Sequence, residues 1–121
     1  MLQPQPHDYA APVTIFLGIL NGSAYSATSP ELTEEQQAEF MAEWARWATE
    51  AGSALVDPGR PLFRKRRVTA QGVESIEDLR VAYMLVSATS HDAAVDIVRA
   101  HPHLSLAPGN SIDVIECPDL S

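Results

Sequence analysis

The strongest constraint on the fold lies in the last third of the chain, where two extended patterns flank one short amphipathic helix. An apolar segment ends at Ala88, Thr89-Ser90-His91-Asp92 opens the helix, and His101-Pro102-His103 stops it. Pro102 disfavours the helical conformation at His101, so the helix ends there. The loop that follows feeds a last alternating strand, Ser111-Ile112-Asp113-Val114-Ile115-Glu116. This is a β-α-β unit in roughly thirty-five residues, close to the least such a unit needs.

The first half of the chain repeats the theme. Residues 13–20, Val-Thr-Ile-Phe-Leu-Gly-Ile-Leu, are apolar on both alternating faces, as in a strand covered on both sides. Residues 21–30 are small and polar and suit a surface loop. Thr33-Glu34-Glu35-Gln36 is a capping box, and the two glutamates favour the positive end of the helix it opens. Phe40, Trp44, Trp47, Ala48 and Ala51 fall on one stripe of that helix, and Gly52 ends it. Residues 54–63 and 64–69 read as parts of an irregular strand or hairpin near a sheet edge, with a Pro58-Gly59 turn organised by Asp57. Residues 81–88 form the next strand. A second helix over 91–100 turns Ala94, Ile97, Val98 and His101 inward.

The order β-α-β-β-α-β predicts an α+β fold with a ferredoxin-like sheet. Two helices cover only one face of such a sheet, yet the first and third strands carry large apolar side chains on both. Leaving these in water costs about 1.5 to 3 kcal/mol each, so a second copy of the chain is the simplest cover. Sheet packed on sheet would enclose a partly apolar space able to hold a small molecule.

With 121 residues and 45% hydrophobic content, the chain has room for one domain, here 13–121 behind a flexible N-terminal arm over 1–12. A net charge of −8 argues against a nucleic-acid partner and against an anionic membrane surface. Residues 1–8 lack the basic and apolar regions of a signal peptide, and the apolar run at 13–20 is too short to span a bilayer. One cysteine, Cys117, permits no intrachain disulfide. These features predict a cytoplasmic protein.

Several segments in order resemble the YCII-related domain family: Thr33-Glu34-Glu35-Gln36 leading to Trp44, Ala54-Leu55-Val56-Asp57-Pro58-Gly59-Arg60-Pro61-Leu62, Asp92-Ala93-Ala94-Val95, and His101-Pro102-His103-Leu104 with Gly109 before the last strand. The resemblance implies a dimeric α+β barrel, a ferredoxin-like monomer whose sheet pairs with its partner's and leaves a cleft near the interface. Some members of that family are thought to use a His-Asp pair. Here the first helix has no histidine, and His101 stands before Pro102 where the family would place Asp. A related subgroup is named for a DGPF motif before its third strand, where this chain has Ile76-Glu77-Asp78-Leu79. Neither catalytic role carries over.

The chemistry therefore has to be sought in the residues themselves. His101, His103 and Asp113 are the catalytic candidates, since an imidazole near neutral pH serves as a base and the loop after the histidines returns to Asp113. The alternative makes His101 a helix-terminal residue and His103 a loop residue. Tyr83, Arg64 and Arg66 are the ligand-binding candidates. Tyr83 binds a ligand if its strand face turns toward the dimer interior and is core otherwise, while the Arg64-Lys65-Arg66-Arg67 run either attracts an anion or guards a sheet edge. No metal set and no cofactor motif is visible. The leading expectation is a homodimer that binds a small organic molecule in an interface cleft, an anionic ligand being one option. The alternatives are a cofactor-free lyase, isomerase or cyclase and a purely structural or regulatory dimer.

Overall fold

The computed structural model describes residues 12–23 and 31–120. All but Pro12 of the expected N-terminal arm, and most of the loop after the first strand, lie outside the described residues. The elements in chain order are β1 (Thr14–Asn21), α1 (Glu34–Ala51), a 3-10 turn (Gly52–Ala54), β2 (Leu55–Asp57), β3 (Lys65–Thr69), β4 (Gly72–Ile76), β5 (Arg80–Ala88), α2 (His91–Arg99), a four-residue helical turn α3 (His103–Leu106) and β6 (Ser111–Cys117).

Four strands form an antiparallel sheet in the order β2-β5-β1-β6. With the β3–β4 hairpin set aside, that order is second, third, first, fourth, an α+β arrangement compatible with a ferredoxin-like sheet. Both β5 and β6 run antiparallel to β1, which lies between them. The C-terminal β-α-β is thus a split unit.

Local chemistry sets the helices. Thr33 Oγ1 accepts from the Gln36 N–H at 3.1 Å and the Gln36 side chain accepts from the Thr33 N–H at 2.9 Å, closing the expected capping box. Gly52 follows Ala51 with a φ of 58°, which a side chain would resist. Ser90 caps α2 by accepting from the Ala93 N–H at 3.0 Å.

One face of the sheet and the inner stripes of α1 and α2 make the core. Phe16, Leu20, Met84, Val86 and Ala88 bury against Trp47, Ala94 and Val98. Gly18 leaves room for Met84, whose Cγ would lie 3.0 Å from any Cβ placed there. Trp47 joins the two helices by donating from Nε1 to the Ile97 carbonyl at 2.9 Å. On the opposite face the register sets Leu17 between Leu85 and Ile115, and Ile19 between Tyr83 and Asp113. This face is apolar and partly exposed.

The segment between β2 and β5 departs from expectation. Only Leu55–Asp57 joins the sheet edge, with Pro61 making a single bridge to Ala82. Lys65–Thr69 does not guard that edge; it pairs with Gly72–Ile76 in a separate two-stranded ribbon. Strand β4 was not anticipated, because Val73-Glu74-Ser75 offers no apolar face for a periodicity to reveal. The second correction concerns His103. It opens a helical turn and is buried instead of lying in a loop, because the Leu104 N–H returns to the His101 carbonyl at 3.2 Å and restarts the helix after Pro102.

Candidate functional site

The two histidines meet at the junction of α2 and α3. His101 is 2% exposed, and its ring stands edge-on to the indoles of Trp44 and Trp47, with centroids 4.6 and 4.5 Å away. Its Nδ1 accepts from the His103 N–H at 3.0 Å, which places the proton of the neutral ring on Nε2. That Nε2 is buried without a hydrogen-bond partner among the described residues. Burial, helped by the charge of neighbouring His103, pushes the His101 pKa down to about 4. His101 is a buried, neutral imidazole at physiological pH.

His103 has a different position. Its Nε2 lies 2.7 Å from the Asn21 carbonyl, and a carbonyl only accepts, so Nε2 carries the proton. Nδ1 then keeps the lone pair of the neutral ring, and no group among the described residues donates to it. The ring lines a cavity of about 640 Å³ between α1 and the end of the sheet. Leu20 from β1, Phe40, Met41 and Trp44 from α1, and Leu106 from α3 give this cavity apolar walls. The remaining wall is the turn over 58–61 and the start of β5 through Tyr83.

That turn is built closely onto the sheet. Asp57 Oδ1 accepts from the Gly59 N–H at 2.8 Å, and Gly59 has the φ of 79° that the third position of a type II turn requires. A Cβ on Gly59 would lie 1.5 Å from the Tyr83 carbonyl oxygen, so only glycine fits. Arg60 follows it on the cavity wall.

The six expected site residues do not converge. His103 and Tyr83 border the same cavity, although the register turns the Tyr83 side chain toward Ile19 and Leu85 on the sheet's other face. His101 does not line the cavity; it packs against Trp44 and accepts from the His103 N–H, and both of these residues belong to the wall. Asp113 makes no hydrogen bond to either histidine among the described residues; its Oδ2 accepts from Asn21 Nδ2 at 3.0 Å. Asn21 therefore stands between Asp113 and His103, giving its side chain to one and its carbonyl to the other. Arg64 and Arg66 sit at the ribbon, exposed and outside the cavity wall. Arg60 was missed as a wall residue, and Phe40, on the α1 stripe, was read as core. The sequence signal for Arg60 was its place between a turn glycine and Pro61, which holds its backbone to one path.

A groove of about 470 Å³ between α2 and β6 has less to offer. Its histidine, His91, spends Nε2 on the Val114 carbonyl at 2.8 Å and packs its ring 5.1 Å from Phe16. Among the described residues no group of three metal-ligating side chains comes together, and no helix is long and apolar enough to cross a membrane.

Fold and cavity together define an α+β domain whose antiparallel sheet carries an apolar pocket on its helical side. No family model matches the chain, and a search of curated proteins finds no match.

Proposed function

We propose that the chain is a YCII-like small protein that acts as a homodimer and binds a small organic molecule, with the cavity beside α1 as its binding site. The observation that carries this reading is the cavity wall: Trp44, Phe40, Met41 and Leu20 supply apolar surface, and His103 supplies one fixed polar group. The apolar sheet face supports the dimer. The quoted sequence motifs support the family.

Binding is tested with N-phenyl-1-naphthylamine, a neutral dye that brightens in apolar sites. The full chain should bind it at one site per protomer, and Met41→Trp should abolish binding by filling the mouth, since Met41 is 61% exposed and its replacement spares the core. Dye binding unaffected by Met41→Trp would place the site elsewhere.

One observation favours a second reading, a cofactor-free acid-base enzyme. With its Nε2–H held by the Asn21 carbonyl, His103 presents Nδ1 as a base of fixed orientation. His103→Gln separates the readings: an enzyme loses turnover while keeping its ligand, and a binding protein shows no turnover to lose.

A further inference from the structure

The cavity wall carries one arginine whose backbone the fold fixes. Arg60 is anchored through its backbone, its carbonyl accepting from the Tyr83 N–H at 3.4 Å, and the Leu62 N–H next along the chain donates to the Val81 carbonyl at 2.9 Å. Between these bonds Pro61 bridges to Ala82, and on the other side Gly59 lies too close to β5 for any side chain. The stem of Arg60 thus leaves a rigid point on the wall.

Its charge is unspent. Lys65, Arg67, Arg80 and Arg99 each pair with a carboxylate, whereas Arg60 forms no ion pair among the described residues. Arg46, Arg64 and Arg66 are also without one, but none of them lines this cavity. An arginine without an ion pair among the described residues, on a wall that also holds Trp44, Phe40 and Met41, combines a bidentate anion fork with apolar surface.

We infer that the cavity takes an aromatic or alicyclic monocarboxylic acid, its ring system against Trp44 and Leu20 and its carboxylate on Arg60. One arginine balances one negative charge, which favours a carboxylate over a phosphate dianion. This rests on the binding role proposed above for the same cavity. With Nε2–H held by the Asn21 carbonyl, an uncharged His103 ring would add an acceptor at Nδ1 for a hydroxyl or N–H on the ligand's body.

Calorimetric titration of the full chain with 2-naphthoate and with 2-naphthamide, its neutral counterpart, tests the inference. The acid should bind roughly 10- to 100-fold more tightly than the amide, the range for a charge-assisted bond. In Arg60→Gln the two affinities should fall within about 2-fold of each other, because the acid loses its charge-assisted contact. Met41→Trp should exclude both. Equal affinities in the wild type, or an acid preference that survives Arg60→Gln, would overturn the carboxylate assignment and leave the cavity's binding role standing. Failure of both compounds to bind would remove that role and the assignment with it.

Discussion

His101 Nδ1 accepts the backbone N–H of His103 at 3.0 Å, so the first imidazole caps the turn that carries the second. The His-Pro-His motif therefore divides its work. His101 is sealed against Trp44 and Trp47, while His103 faces the cavity. Two residues apart, their rings lie 6.4 Å from one another.

The first prediction follows from the proton that His101 refuses. Unfolded, it titrates near the ordinary 6.5; folded, burial holds it at about 4. Above pH 6.5 both states are neutral and the group contributes nothing to pH dependence. Between 6.5 and 4 only the unfolded chain takes up the proton, so stability falls by about 1.4 kcal/mol per pH unit, roughly 3 kcal/mol in all, and levels off below pH 4. Asp78, held at about 2 chiefly by its hydrogen bonds from Arg80, acts in a separate window, its contribution lost only as pH drops from 3.8 through 2. Urea unfolding of the wild type and His101→Leu from pH 7.5 to 4 checks this. At pH 7.5 the variant should be about 1 to 3 kcal/mol less stable, because the His103 N–H loses its acceptor in a buried site. The two curves should converge as pH falls. A constant difference would rule out the buried neutral imidazole.

Gly59 and Gly52 make a matched pair. Both have positive φ, but a Cβ at Gly52 meets nothing within 4 Å, whereas one at Gly59 meets the Tyr83 carbonyl at 1.5 Å. Gly52→Ala should cost about 1 to 2 kcal/mol, the conformational term alone. Gly59→Ala should cost at least about 3 kcal/mol, since backbone must also move. Chemical denaturation of the two variants side by side measures the difference, and equal losses would mean that the turn does not press on β5.

Trp47 ties α1 to α2 through its Nε1–H and the Ile97 carbonyl. Trp47→Phe keeps an aromatic ring in the core but leaves that carbonyl without its partner and the site underfilled. A loss of about 2 to 3 kcal/mol is expected, the sum of one hydrogen bond and a small cavity. Trp44→Phe, whose ring lines the cavity and is only partly buried, should cost less.

The elements that specify themselves locally were legible in the sequence. Thr33 and Gln36 close their capping box, Ser90 caps α2, and Ser111–Cys117 forms the last strand over the range expected. The β3–β4 ribbon was only half visible, because Arg66, Arg67, Glu74 and Ser75 pair through backbone groups with no periodic apolar side chains to mark them. The site was least legible. Trp44 and Phe40 fall on a helical stripe whether they fill a core or wall a cavity, and pattern alone does not distinguish the two. Arg60 needed the fold as well, since its importance comes from Gly59 lying against Tyr83, a residue twenty-four positions further along the chain.

The last prediction concerns the second face of the sheet. Leu17 sits at its centre, flanked by Leu85 and Ile115, with Ile15 and Ile19 on either side along β1. No strand residue on the core face lies in this patch, so a change there tests assembly separately from folding. A dimer that buries this face would place Leu17 near the middle of its interface. Leu17→Asp would then drive a carboxylate into an apolar contact and weaken association by at least about 100-fold, or about 3 kcal/mol. Sedimentation at micromolar concentration should show a dimer for the wild type and a monomer for the variant. Circular dichroism of the variant should retain the wild-type helix and strand signal, because Phe16, Leu20, Met84 and Val86 still pack on the helical side. A wild type that sediments as a monomer would remove the dimer, and a variant that stays dimeric would move the interface to another surface.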